Sequence, residues 1–170
     1  TGGSGGVAYG AYNNSSGTIN ITTATGGSGN AAYGAYNGSA GTINITTATG
    51  GSGGGAHGAY NNSSGTINIT NATGGSGGND AYGAYNVGSG TINITNATGG
   101  SGSYAYGAYN ATNGVLRVDT AVGNQFGPGS GVTADVPAMW GSKSPGVITT
   151  VRHAVHGAYG QAPLAGSVML

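Results

Sequence analysis

The stretch AYGAYNGSAGTINITTATGGSGGG, residues 32–55, is one period of a pattern that runs through most of this 170-residue chain. Gly-Ala-Tyr begins at Gly10, Gly34, Gly58, Gly83 and Gly107, spaced by 24, 24, 25 and 24 residues. Ile-Asn-Ile follows at Ile19, Ile43, Ile67 and Ile92. Self-similarity at a fixed period of this kind marks a repeat architecture. The one extra residue falls between Gly77 and Asp80, in a glycine-rich stretch that tolerates insertion. A fifth unit decays through GVLRVDTAVG, residues 114–123. From about Asn124 the period is lost, although His156, Gly157, Ala158 and Tyr159 echo it once.

Within each unit two segments alternate with period two, as strands with distinct faces do. In TINIT the isoleucines point one way and Thr18, Asn20 and Thr22 the other. The GGSG and NSSG clusters are expected to supply turns, because glycine accepts unusual backbone angles and Asn or Ser can bond to nearby backbone. Glycine, threonine and asparagine density disfavours helix. A 24-residue period with two short strands predicts an all-β, single-domain parallel β-solenoid of five coils over residues 1–123. The aperiodic segment 124–170, with Phe126, Met139, Trp140 and Val168, is the expected C-terminal cap. Nothing comparable precedes Thr1, so that end is expected to stack on a neighbour or to continue in residues beyond this sequence.

A meander of antiparallel hairpins is the competing architecture. The two differ in what each repeat position meets. In a solenoid identical positions stack, so asparagines can form amide ladders and tyrosines ring stacks. The chain keeps such columns: Asn13, Asn37, Asn61, Asn86 and Asn110; Asn20, Asn44, Asn68 and Asn93; and Tyr12, Tyr36, Tyr60, Tyr85 and Tyr109.

Composition narrows the function classes. Three Lys+Arg against three Asp+Glu leave no basic stripe for phosphates and no acidic tail. No apolar run approaches the ~18 residues of a membrane span. Without cysteine there is neither a disulfide framework nor a thiolate metal site.

With AYGAYN, SGTINIT and ATGGSG in view, the first 123 residues resemble the glycine-rich β-strand repeats of bacterial surface proteins, above all the passenger regions of pertactin-like autotransporter adhesins. The shared motif is A-Y/H-G-x-Y followed by S/G-G-T-hydrophobic-x-hydrophobic-T, as at 56–60 and 65–70. The resemblance implies a right-handed parallel β-helix, display at the cell surface and no intrinsic catalysis. These units are shorter and more uniform than is usual in that family, and residues 124–170 match none of its motifs.

The catalytic motifs on offer have plainer readings. Residues 2–6 satisfy G-x-S-x-G, but near copies around Ser28, Ser52, Ser76 and Ser101 point to a recurring turn, since a nucleophile is needed once. GGSGGND, residues 74–80, is similar to calcium-binding β-rolls, yet the other units carry Val7, Ala31, Gly55 and Tyr104 near the place of Asp80. His153 and His156 would meet only on a helical turn and are read as polar residues of the cap. His57 takes a tyrosine's place in its column, which suggests a tolerant position. Asp80, Asp119 and Asp135 are scattered, whereas a glycosidase needs two carboxyls about 5–10 Å apart. No enzyme, metal or cofactor is expected.

The candidate binding columns are therefore surface arrays. On one sheet face Thr18, Asn20 and Thr22 recur as Thr42, Asn44 and Thr46, then Thr66, Asn68 and Thr70, then Thr91, Asn93 and Thr95. Their grid would measure about 6.6–6.8 Å along a strand and about 4.8 Å across coils. Of the two tyrosine columns, opposite parity predicts one in the core and one on the surface, with both buried as the alternative. Tyr9, Tyr33, Tyr82 and Tyr106 are assigned to the exposed strip, although a bulge at the intervening glycine would upset the parity. The expected function is a secreted or surface-displayed structural or adhesive solenoid, binding glycans, matrix or sister chains and self-associating end to end or laterally. An ice-binding threonine array is the alternative reading.

Overall fold

The computed structural model describes residues 1–111 and 114–123, together with the backbone of Met139–Gly141 and Thr149–Val155. It is all-β, and every strand pairing among the described residues is parallel. One sheet holds the Ile-Asn-Ile segments: β2 (Thr18–Thr25), β4 (Thr42–Thr49), β7 (Thr66–Thr73), β10 (Thr91–Thr98), β12 (Val115–Val122) and β14 (Thr149–Val155), in that order. The other holds the Gly-Ala-Tyr segments: β1 (Ser4–Asn13), β3 (Ser28–Asn37), β6 (Ala59–Asn61), β9 (Ala84–Asn86), β11 (Ala108–Asn110) and β13 (Met139–Gly141), with β5 (Ser52–Gly55) and β8 (Ser76–Asp80) continuing its serine-rich side. Each unit thus forms one coil of a parallel β-solenoid, and the hairpin meander is excluded.

Register decides this. Ile19 pairs with Ile43, Ile43 with Ile67, Ile67 with Ile92 and Ile92 with Leu116. Ser4, Ser28, Ser52 and Ser76 form a column of their own, extended by a bridge to Ser101, so the repeated G-x-S-x-G serine is a ladder position. The twenty-fifth residue of the fourth unit is absorbed where Gly53 still faces Gly77 but Gly55 faces Asp80. Gly78 within that bulge is exposed and has open space around its α-carbon.

The glycine-rich GGSG segments were expected as turns, and their serine sides instead begin strands of the Gly-Ala-Tyr sheet. The backbone explains it. Ser52 N donates to Gly27 O at 2.9 Å, and Ser76 N to Gly51 O at 3.0 Å. Stacked, side-chain-free residues offer nothing that competes with this pairing. A second departure concerns residues 124–170. Two described pieces of that segment, β13 and β14, carry both sheets one coil further. His153 lies in β14, opposite Thr120, so the spacing 153–156 does not begin on a helical turn. The rest of the expected cap, with Phe126, Asp135, His156 and Val168, lies outside the described residues.

The core is a single cluster with large and small layers. Ile43, Ile67, Ile92 and Leu116 are fully buried on one sheet, with Ala35, Ala59, Ala84 and Ala108 on the other. Interdigitating bulky and minimal side chains fills a thin interior at native density. Next to the alanines, Gly34, Gly58 and Gly83 lie against the opposite sheet. A β-carbon on Gly58 would sit 2.6 Å from Thr73 N and 2.7 Å from Thr73 O. The two backbones meet at this pinch, and glycine is required because nothing larger fits.

Gly58→Ala should therefore destabilise the solenoid by about 1–3 kcal/mol or more through overpacking against immovable backbone. Gly78→Ala should stay within about 0.5 kcal/mol of the parent. Chemical denaturation of the two variants checks both; equal effects would contradict the pinch.

Candidate binding faces

On the Ile-Asn-Ile sheet every predicted Thr/Asn position faces outward. Thr22, Thr46, Thr70 and Thr95 are exposed, as are Asn20 and Asn68, and Asn44 and Asn93 are half-buried. Thr18 is exposed, whereas Thr42, Thr66 and Thr91 are half-buried. Between the asparagine and threonine columns runs a shallow trough. One part, of about 470 Å³, spans Asn20–Thr22 and Asn44–Thr46. A second, of about 500 Å³, continues past Asn68, Thr70, Asn93 and Thr95 to Arg117 and Asp119.

The exposed asparagines form the expected amide ladder. Asn44 Nδ2 donates to Asn20 Oδ1, Asn68 Nδ2 to Asn44 Oδ1 and Asn93 Nδ2 to Asn68 Oδ1, each at 2.8 Å. Arg117 occupies the next position and donates Nη1 to Asn93 Oδ1 at 3.1 Å. Asn71 and Asn96 stand where earlier coils carry Thr23 and Thr47, and they make a parallel rung at 2.8 Å.

The second asparagine column behaves differently from expectation. Asn37, Asn61, Asn86 and Asn110 are fully buried. Rather than laddering throughout, each turns Nδ2 onto the carbonyl of the glycine four residues on: Gly41 at 2.8 Å, Gly65 at 3.0 Å, Gly90 at 3.1 Å and Gly114 at 3.0 Å. Two also reach the next coil, Asn37 to Thr66 O and Asn86 to Val115 O. Asn61 reaches along its column, to Asn86 Oδ1. The carbonyls of Gly41, Gly65 and Gly90 also accept a backbone N–H from the next coil, so the amide is their second donor, while Asn37 Oδ1 and Asn61 Oδ1 are buried without a hydrogen-bond partner. The signal was present in sequence as Asn-x-x-x-Gly in every unit, and its meaning appears once the coil closes.

The tyrosine columns require a correction. Neither is in the core, and both face outward, packed on each other. Ala8 and Ala11 are buried, whereas Tyr9 and Tyr12 both lie outside; Gly10 between them breaks the alternation by pressing against Thr25. Tyr82, assigned to the exposed strip, is 6 % exposed. Rings touch through all five coils: Tyr9–Tyr33 at 5.6 Å, Tyr33–His57 at 5.5 Å, His57–Tyr82 at 4.9 Å and Tyr82–Tyr106 at 5.3 Å. Tyr12, Tyr36, Tyr60, Tyr85 and Tyr109 run alongside at 5.0–5.4 Å. In the Tyr9 column the rings stack or tilt onto one another, whereas Tyr12–Tyr36, Tyr60–Tyr85 and Tyr85–Tyr109 meet edge to face, so much of the ring surface is already covered by a neighbouring ring. Burial pushes the phenol of Tyr33 up to about 12. Tyr82 is raised further by burial and by Asp80, which accepts a hydrogen bond from it.

His57 is not in a loosely tolerant position. It is 4 % exposed, stacked on Tyr60 and Tyr82, and its Nδ1 accepts the Tyr82 N–H at 3.3 Å. Burial pushes its imidazole down to about 3.

The carboxylates named as an enzyme's minimum are not assembled. Asp80 lies in the Gly-Ala-Tyr sheet, Asp119 in the other, and Asp135 is outside the described residues. Among the described residues no three His, Asp or Glu side chains group as metal ligands, and no helix is long and apolar enough to cross a membrane. Compared with protein-family models, with curated proteins and with solved structures, the chain gives no match.

Two predictions follow from this geometry. Asn61→Ala should lower stability by about 1–3 kcal/mol, because the buried Asn86 Oδ1 loses its donor. Asn68→Ala on the exposed ladder should stay below about 1 kcal/mol, and denaturant midpoints rank the two. For His57 the unfolded imidazole titrates near 6.5 and the folded one near 3, so its contribution is complete above about pH 6.5 and is lost as pH falls toward 3. His57→Tyr should remove that component, on the order of 3–5 kcal/mol, flattening the acid limb of melting temperature against pH.

Proposed function

We propose that this chain is a non-enzymatic β-solenoid module, secreted or displayed at a cell surface, that works as a structural and adhesive element through its Asn/Thr face. One observation carries the reading: the trough between the asparagine and threonine columns repeats its groups in register from Asn20 to Arg117. An amide and a hydroxyl recur at each of the first four coils, with Arg117 and Asp119 at the fifth. A polymer with its own repeat, such as a glycan chain, can engage several coils at once. Contacts that are weak singly then add through effective concentration. The resemblance to pertactin-like passenger repeats points the same way.

Ice binding is the second reading, favoured by the exposed column Thr22, Thr46, Thr70 and Thr95. The amide ladder weighs against it, because each interior asparagine already gives a donor and an acceptor to its neighbours.

The test is the doubly substituted Thr46→Tyr/Thr70→Tyr chain, which fills the trough from outside and leaves the core alone. Retention of the parent on a glycan array, reduced about tenfold or more in the variant, is the expected result. Thermal hysteresis in dilute solution without glycan retention would replace the adhesive reading with the ice reading. Electron microscopy at several concentrations tests self-assembly, and uniform short particles throughout would remove the fibre.

A further inference from the structure

We propose that Tyr12 and Tyr36 form a site of oxidative cross-linking, at which a dityrosine bond joins the first coil to the second. The two rings meet edge to face, with centroids 5.4 Å apart and planes at 72°. Tyr12 is the accessible partner, 45 % exposed. Their ortho carbons, where such bonds form, border the same small space above Gly38. A β-carbon on Gly38 would lie 2.9 Å from Tyr36 Cε1 and 3.4 Å from Tyr12 Cε2. That space is particular to this pair of coils. The residue following the buried asparagine is Gly38 in the second coil but Asn14, Asn62, Val87 and Ala111 in the others, and the Asn14 amide of the first coil borders the space, its Oδ1 3.5 Å from that β-carbon.

The chemistry balances with a peroxide as oxidant and a haem peroxidase as the one-electron catalyst. Each phenol gives up one electron and its hydroxyl proton, leaving a phenoxyl radical with spin on the ortho carbons. The two radicals join Cε1 to Cε2. The two ring hydrogens then leave as protons and both hydroxyls are restored. Two electrons and two protons in all reduce one hydrogen peroxide to two waters. Tyr9 stacks on Tyr12 at 4.6 Å and meets Tyr36 at 5.1 Å, so a radical formed on this neighbour is in contact with both partners. With no cysteine in the chain, no disulfide competes for the oxidant.

The experiment treats the full chain, dilute, with hydrogen peroxide and a haem peroxidase, followed by proteolysis and mass spectrometry. The expected product is a monomer carrying a Tyr12–Tyr36 peptide pair lighter by two hydrogens than its parts, with dityrosine fluorescence and a raised melting temperature. Tyr12→Phe should abolish that pair. Gly38→Asn keeps both phenols and installs the residue that two other coils carry, so folding is preserved; its yield of the pair should fall about tenfold by misplacing the reacting carbons. Equal yield in Gly38→Asn, links spread evenly over the other tyrosines, or links only between molecules would overturn the proposal. Circular dichroism of both variants confirms that the comparison is between folded chains.

Discussion

Parallel backbone pairing between consecutive coils is the constraint on which everything else rests. It requires that each residue meet its own counterpart one period away, so every side-chain choice is made for a column rather than a site. A residue that packs well beside itself is amplified, and one that repels itself is penalised at every coil. Charge is the clearest casualty, since like charges stacked in register repel. The near absence of charged residues is thereby explained without reference to any partner. Asparagine, threonine and tyrosine remain because an amide can donate to its copy, a β-branched hydroxyl suits a strand, and a ring can stack on a ring.

Much of this was legible in the letters. The pattern TINIT names its own faces, and the structure buries Ile43, Ile67 and Ile92 while turning Asn and Thr outward. The period sets the register, and the extra residue near Gly78 lies where a bulge absorbs it. The tyrosines were not legible in the same way. Strict alternation across AYGAYN puts Tyr9 and Tyr12 on opposite faces, but a glycine has no side chain to hold a place in the alternation. At Gly10 the strand collapses onto the other sheet, and both rings emerge on one side. Nor can letters tell a buried amide from an exposed one: Asn37 and Asn44 look alike until one is seen facing a carbonyl inside the coil and the other its copy outside.

The same logic repeats chemical groups along faces rather than gathering them at one point. The described carboxylates are held apart on separate sheets, whereas two long arrays, one polar and one aromatic, run over several coils. The aromatic array has much of its ring surface covered by its own rings. The polar trough stays open, with amides already oriented by their neighbours, so a ligand of the kind proposed would find little ordering left to be done.

Arg117 gives the exposed amide ladder a direction. All donors point toward the first coil, so the side-chain dipoles add, and their negative end is met by a guanidinium that has hydrogens to give and no lone pair to receive. The series can grow by duplication of a unit anywhere between Asn20 and Asn93, each new amide slotting between two others. Past Arg117 the next residue of the column is Thr150, and no amide can donate onto the guanidinium. The column behaves as a one-way chain with a stopper, and the length of the polar face is written into the position of a single cation.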